Sequence, residues 1–301
     1  MNLNRLKSSL DIERTLNAKV GVIGAGGSMG LICDLARCGI QHFVLADPDM
    51  LESANLARQG HMAAHVGHFK VEAAAALVAS INREAEVLGL PVDFTTLSEE
   101  AIDAHFGDCN LLLFCTDSFK AQAFGNQVAL RLGIPAIWVG LYRGGRAGEV
   151  IFWHEDLRPC FRCICASRYG AHEQAQTQGI RLDPPSDGAD IFTIHFLDSI
   201  VGMVSLGQLT RGADNRYGRL IEQLGDRNFL QVKIDPSWTL RDHDIVREQL
   251  GIAETCDAYF AWNTIVRRDP DGGEPPCPDC VKYRGRTPKT GIIPIPDGAI
   301  V

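Results

Sequence analysis

A chain of 301 residues, 46% hydrophobic and 22% charged, has an ordinary globular composition and room for one large α/β domain or two modest ones, with a core that needs no disulfides. Its formal net charge of -8 excludes the broad basic footprint of a nucleic-acid or anionic-lipid binder, although an acidic protein still holds a small anion in a locally basic pocket. No apolar run approaches the ~20 residues of a membrane span, and the N-terminal MNLNRLKSSLDIERT lacks the apolar centre of a signal peptide, so the expectation is a cytoplasmic protein without membrane or nucleic-acid partners.

Residues 19–23 form a short β-branched run that ends in glycines, and 29–37 form an apolar helical stretch. A second strand is expected at 42–46 and an alanine-rich helix at 69–81. The unbroken apolar run 110–115 predicts a buried strand, 121–131 a helix, and 135–139 and 149–153 further strands. Strands separated by helices imply a doubly wound, mainly parallel sheet with right-handed crossovers. The second half is less regular. Residues 168–190 are polar and contain Gly and Pro, which predicts a long mobile loop. Residues 191–209 read as a buried helix, 229–234 and 259–267 as strands, 267–278 as a loop, and the tail after Cys280 as extended.

Gly24-Ala25-Gly26-Gly27-Ser28-Met29-Gly30 follows the first strand and opens a helix. Glycines let the backbone turn sharply and approach a phosphate, and the helix N-terminus offers N–H groups and a favourable dipole. Asp47 closes the second strand about 20 residues on, where a carboxylate reaches ribose hydroxyls. These features specify a nucleotide and leave ATP and NAD both open. Further along stand Asp49, Asn55, Arg58, Gln59 and Lys70, then Cys115-Thr116-Asp117-Ser118. Adenylation needs cations for the α-phosphate and the leaving pyrophosphate, and a carboxylate for Mg²⁺. Arg58 and Lys70 suit the first task. Asp117, just past a strand's C-terminal end, suits the second. Taken singly, each has a plain alternative as a surface charge or a helix cap.

Together, GAGG, LADPD, NLARQ, the later Lys70 and CTDS closely resemble the ubiquitin-activating-enzyme-like (ThiF/MoeB/HesA) superfamily, over residues 19–165 and again at the second cysteine pair. The resemblance implies a Rossmann-like ATP-binding half over 1–158, with Gly24, Gly26 and Gly27 lining the nucleotide. Residues 159–301 would supply a crossover loop, a helix and a zinc-bound C-terminal half of the same adenylation domain. It implies that Asp47 holds the ribose, that Asn55, Arg58, Gln59 and Lys70 contact the triphosphate, and that Asp117 binds Mg²⁺. The implied reaction is attack of a protein's C-terminal carboxylate on the α-phosphate of ATP. The implied partners are a small β-grasp ubiquitin-like or sulfur-carrier protein ending in Gly-Gly, a downstream conjugating or sulfur-transfer protein, and a second copy in a homodimer. Arg5 and Arg14 are the candidates for the arginine that many relatives donate to the neighbouring subunit.

The ten cysteines, in a reducing compartment, read as core thiols, metal ligands or nucleophiles. Cys160-Phe161-Arg162-Cys163 and Cys277-Pro278-Asp279-Cys280 supply four thiolates to a tetrahedral Zn²⁺, a closed and therefore structural shell. Many relatives carry a nucleophilic cysteine before the helix at 191, yet 168–190 contains none. That leaves Cys165, beside a zinc ligand, and Cys256, whose acidic neighbours Glu254 and Asp257 disfavour a thiolate. Cys33, Cys38, Cys109 and Cys115 read as core or near-core thiols, and His195 as a core histidine. The missing loop thiol keeps a short peptide or small-molecule carboxylate open as the adenylated substrate. An NAD-dependent oxidoreductase would make Arg58, Lys70 and Asp117 coincidental, and retention of every expected ATP-contacting residue argues against a non-catalytic scaffold.

Overall fold

A strand buried on both faces of a sheet is apolar without alternation, and that pattern organises the first half of the chain. The computed structural model describes residues 1–180, 182, 188–235, 237–239, 262–265 (backbone alone) and 275–284. α1 (Ile12–Asn17) leads into β1 (Lys19–Ile23), and α2 (Met29–Arg37) returns to β2 (His42–Ala46). α3 (Lys70–Ile81), β3 (Glu86–Leu90), α4 (Glu99–Phe106), β4 (Leu111–Phe114), α5 (Phe119–Leu132) and β5 (Ala136–Leu141) continue the alternation. These five strands pair in parallel in the order β3-β2-β1-β4-β5. The sheet then changes character. β6 (Ala147–Trp153) reverses beside β5. After α6 (Phe161–Ile164), α7 (Ala166–Thr177), α8 (Ile191–Leu209) and α9 (Arg216–Leu224), β7 (Phe229–Lys233) and β8 (Trp262–Ile265) extend the sheet antiparallel. α10 (Pro278–Tyr283) packs on α5. The fold is thus a mainly parallel, doubly wound α/β sheet.

Expectation and structure agree to the residue for β1, α2, β2 and α8. Three differences have physical causes. First, β3 and α4 carry weak patterns. β3 lies at the sheet edge and is partly exposed, and only Ile102 and Phe106 of α4 are buried. Second, much of the expected loop 168–190 is helical, as α7. Tyr169 is buried against Phe119 and Phe161, with the Arg162 guanidinium over its ring at 4.6 Å, and Arg162 pairs with Glu173 at 3.3 Å. These tertiary contacts outweigh a polar composition. Third, α8 is, by its 19 residues and apolar composition alone, long enough to cross a membrane, contrary to the reading that no run approaches that length. In the fold it lies against α2, α9 and β6, with Leu197, Val201 and Val204 buried. The expected strand 259–267 is seen as β8 over four residues, and the expected extended tail begins with the end of α10; most of 267–278 and of the tail lies outside the described residues.

The aromatic core joins both halves: Phe114 stacks on Trp138 at 5.3 Å and Trp138 on Phe161 at 5.1 Å. Gly125 on α5 makes room for it, because a Cβ there would lie 2.2 Å from Phe114 Cε1. Gly125→Ala should therefore lower unfolding free energy by about 1–3 kcal/mol through overpacking. Gly170→Ala on α7, where no atom comes within 4 Å of the added Cβ, should be neutral or stabilising. Denaturant titration of both variants separates the two effects.

Candidate nucleotide and metal sites

Ligands in open α/β sheets bind beyond the carboxyl ends of the strands, where the strand order reverses. Here the reversal falls between β1 and β4. A cavity of about 740 Å³ opens at that edge, and Gly24, Gly26, Gly27, Asp47, Asn55, Arg58, Gln59, Lys70 and Asp117 all line it. They come from the ends of β1, β2 and β4, from the 3₁₀ segment Ser53–Ala57 and the turn at its C-terminal end, and from the start of α3.

The loop is held by its own peptide groups. Gly24 has φ +95°, and a Cβ there would lie 2.6 Å from the Cys115 carbonyl oxygen, so only glycine fits. Ala25 is clamped from both sides. Its N–H donates to Asp47 Oδ2 at 2.8 Å, and its carbonyl accepts from His61 Nε2 at 2.8 Å. His61 is buried, and desolvation lowers its pKa, which favours the neutral ring that donates one N–H. Asp47 also accepts from the Asp49 N–H at 2.9 Å. Its carboxyl is pushed up by burial against the opposing pull of Lys70. Asp47 thus shapes the loop as well as facing the cavity, a role that the sequence pattern does not reveal.

Lys70 is the first residue of α3, where a cation opposes the helix dipole. It is nevertheless buried, with its Nζ 2.7 Å from Asp49 Oδ2. A desolvated lysine kept in an unfavourable position and neutralised by an exposed carboxylate is suited to change partner when an anion arrives. The Asn55 carbonyl accepts from the N–H groups of both Arg58 and Gln59, at 3.1 and 2.8 Å, and so orients this short turn. Gln59 packs on Gly26, and its buried Oε1 has no protein partner among the described residues. Asp117 is exposed just beyond β4, and Ser118 after it caps α5 by accepting from the Ala121 N–H at 3.3 Å. An oxygen donor at the rim of a cavity with these cations fits the hard-cation chemistry expected of Asp117.

Several readings change. His195 is exposed rather than a core histidine, because its turn of α8 faces the glycine loop: its Nε2 would lie 2.8 Å from a Cβ on Gly30. One turn on stands Asp198, which also lines the cavity. Burial pushes the Asp198 carboxyl up to about 8, and its Oδ2 has no partner among the described residues. Arg14 donates to the Arg211 carbonyl at 2.8 Å, and Arg5 lies on the 3₁₀ segment Asn4–Leu6. Cys33, Cys109 and Cys165 are buried, and Cys38 and Cys115 half-buried. Cys256 lies outside the described residues. Tyr142, Glu149, Arg168 and His172 also line the cavity. Local sequence could not find them, because they lie on two strands' ends and on a helix that reads as a loop.

The two C-x-x-C pairs, far apart in sequence, meet. All four sulfurs lie within 4.8 Å of one another, with Cys160 Sγ 3.8 Å from Cys163 and 3.5 Å from Cys277, and Cys163 3.8 Å from Cys280. Four sulfurs at about 2.3 Å from Zn²⁺ stand about 3.8 Å apart at the corners of a tetrahedron, so the set fits that ion. The four thiols are coupled: contact with Cys160 holds Cys163 far below the ordinary thiol range and Cys277 down to about 7, while Cys160 and Cys280 are themselves pushed up. Buried Asp279, between the C-terminal pair, accepts from Asn126 of α5 at 2.8 Å and from Arg162 of α6 at 2.9 Å, which fastens this knuckle to those two helices.

A glycine loop, an acidic residue closing the next strand and a cavity at the switch point define a nucleotide-binding protein of the doubly wound class. The family model described as the ThiF family matches residues 1–223, and the chain belongs to that family. It is 35% identical over 154 residues to adenylyltransferase and sulfurtransferase UBA4 of Kluyveromyces lactis, covering 49% of this chain and 33% of that protein. It is 28% identical over 173 residues to ubiquitin-like modifier-activating enzyme 5 of Culex quinquefasciatus, covering 54% and 44%. The chain thus spans a third to under half of the length of these curated relatives. Among solved structures, Escherichia coli MccB with selenomethionyl MccA matches with a TM-score of 0.58 at 18% identity, covering 73% of this chain and 62% of that one. Selenomethionyl PaaA matches at 0.55 and 18%, covering 77% and 72%. This likeness is one of fold.

Metal analysis of protein purified without chelator should find about one zinc per chain, and Cys277→Ser should lose it with a lower melting temperature, because a structural zinc contributes to folding. Metal-free protein of undiminished stability would refute the site. Asp198 gives a pH test. Its folded pKa is raised, so between about 4 and about 8 the folded state binds the extra proton and stability falls as pH rises. Asp198→Asn should therefore gain in melting temperature over the parent as pH increases from 4 to 8, with little difference at the acid end.

Proposed function

We propose that the chain is an ATP-dependent adenylating enzyme that activates the C-terminal carboxylate of a small ubiquitin-like or sulfur-carrier protein and releases pyrophosphate. The observation that carries this reading is the convergence of Arg58, Lys70, Asp47 and Asp117 with the glycine loop on one cavity. A carboxylate oxygen attacks the α-phosphorus, the bond to the bridging oxygen breaks, and pyrophosphate leaves with the electron pair. Charge grows on the phosphoryl and leaving oxygens, and Arg58 and Lys70 stabilise it. Lys70 reaches the phosphates by exchanging Asp49 for them. Asp47 holds the ribose. Asp117 would hold Mg²⁺, which supplies further neutralisation of the leaving group. The four-cysteine cluster would hold a structural Zn²⁺. Family membership and the names of the UBA4 and modifier-activating relatives support this reading over an oxidoreductase.

Adenylation needs no thiol. The absence of cysteine from 168–190 favours either Cys256 as a late nucleophile or direct transfer of the adenylate to an acceptor. Mg·ATP should raise the melting temperature where NAD does not; stabilisation by NAD alone would overturn the reading. With a β-grasp protein ending in Gly-Gly as substrate, pyrophosphate exchange into ATP should fall about 10²- to 10³-fold in Asp117→Ala and in Arg58→Ala. Cys256→Ala should retain exchange. Full exchange in Asp117→Ala would remove Asp117 from the site.

A further inference from the structure

The cavity has a second polar end that nucleotide binding leaves unexplained. Glu149, only 3% exposed, projects from β6 into it. One Glu149 oxygen accepts from the Tyr142 hydroxyl at 2.6 Å, the other from Arg168 Nη2 at 2.6 Å, and Gln231 Nε2 donates to the Tyr142 oxygen at 3.2 Å. Burial, and then Glu149, raise the Tyr142 pKa, so the phenol stays protonated and keeps donating. A guanidinium has five N–H donors in a rigid fork, and the bond to Glu149 engages one end of it. Arg168 therefore faces the cavity already oriented, and it compensates the charge of the buried Glu149.

The position of this cluster matters as much as its charge. His172 follows Arg168 by one helical turn, and both face the cavity. The His172 ring stacks on Phe119 at 4.0 Å and 18°, and Phe119 is two residues past Asp117. The Arg168 face of α7 and the Asp117 end of β4 are thus neighbours across the cavity. Arg58 and Lys70 belong to the segments after β2 on the other side, where the adenylation reading puts the triphosphate. A carboxylate attacking an α-phosphate must be held against the repulsion of two anions, and a cation on its own side does that.

We infer that Arg168 receives the carboxylate to be activated, and that Glu149 and Tyr142 are positioning residues that aim its guanidinium. This rests on the adenylation reading. One carboxylate oxygen attacks phosphorus; the other stays on Arg168 and becomes the acyl carbonyl oxygen of the adenylate.

The test uses the whole chain and two probes, 5′-sulfamoyladenosine and its N-glycyl derivative, titrated calorimetrically. The second adds the acyl group, together with an α-ammonium and an acidified sulfamate nitrogen, so the Arg168-dependent part of the difference is what is read. The native chain should bind the glycyl probe about 10- to 100-fold more tightly than the parent, the range of a charged hydrogen bond. Arg168→Ala should abolish most of that ratio and leave the parent's affinity unchanged, Arg168→Lys should restore part of it, and the isosteric Glu149→Gln should reduce it in a chain that still binds the parent. Equal weakening of both probes in Arg168→Ala, an unchanged ratio in either variant, or no ratio in the native chain overturns the assignment. If Arg168→Ala does not fold, Glu149→Gln decides alone. A native chain that binds neither probe overturns the adenylation reading itself, and this inference with it.

Discussion

The peptide of Ala25 is the point on which the nucleotide end of the molecule depends. Asp47 accepts from its N–H and His61 donates to its C=O, so the short loop between β1 and α2 has little freedom left. The same carboxylate then accepts from Asp49, and Asp49 holds Lys70. Three turns that are remote in sequence become one rigid frame through a single buried carboxylate. A buried charge is tolerable only when it is hydrogen-bonded in this way. The penalty of desolvating Asp47 is visible in its raised pKa, and preorganisation of the loop is what offsets it.

A second chain of contacts runs from the cysteine cluster to the opposite end of the cavity. Asp279 binds Asn126 and Arg162. Arg162 lies over the Tyr169 ring, and Tyr169 seats α7 against Phe119. α7 in turn carries Arg168 to Glu149. The four cysteines therefore do more than close the C-terminal segment onto α5. They stabilise the platform on which α7 rests, and α7 forms one wall of the cavity. In this architecture the cysteine cluster bears on the cavity through packing, without lining it.

The two ends differ in electrostatic design. At the glycine loop, Lys70 is buried while its partner Asp49 is exposed, so the ion pair opens toward solvent and can exchange. At the β6 end it is the carboxylate Glu149 that is buried and the guanidinium that reaches outward. Both arrangements keep the cavity near neutrality and present a cation to an incoming anion. An overall charge of -8 does not oppose this, because exposed charges are screened by salt over about 10 Å, while partly buried pairs are screened far less.

What sequence by itself determined is local. β1, α2, β2 and α8 were legible because their hydrophobic periods are set by their own burial, and the glycine loop was legible because only glycine allows its turn. The two C-x-x-C pairs pointed to a metal site because four thiolates suit Zn²⁺, and their sulfurs do meet in one cluster that could hold an ion. The motif residues of the nucleotide end were legible together as a family pattern, although their meeting in one cavity was not. Tertiary structure alone decided the rest. Packing against α5 and α6 turned a polar stretch into the helix α7 by burying Tyr169 and Ala175. The fold also placed His195 outside the core and paired Glu149 with Arg168. Those outcomes depend on contacts between segments distant along the chain, whose free energies outweigh local propensity and leave no periodic trace in the sequence.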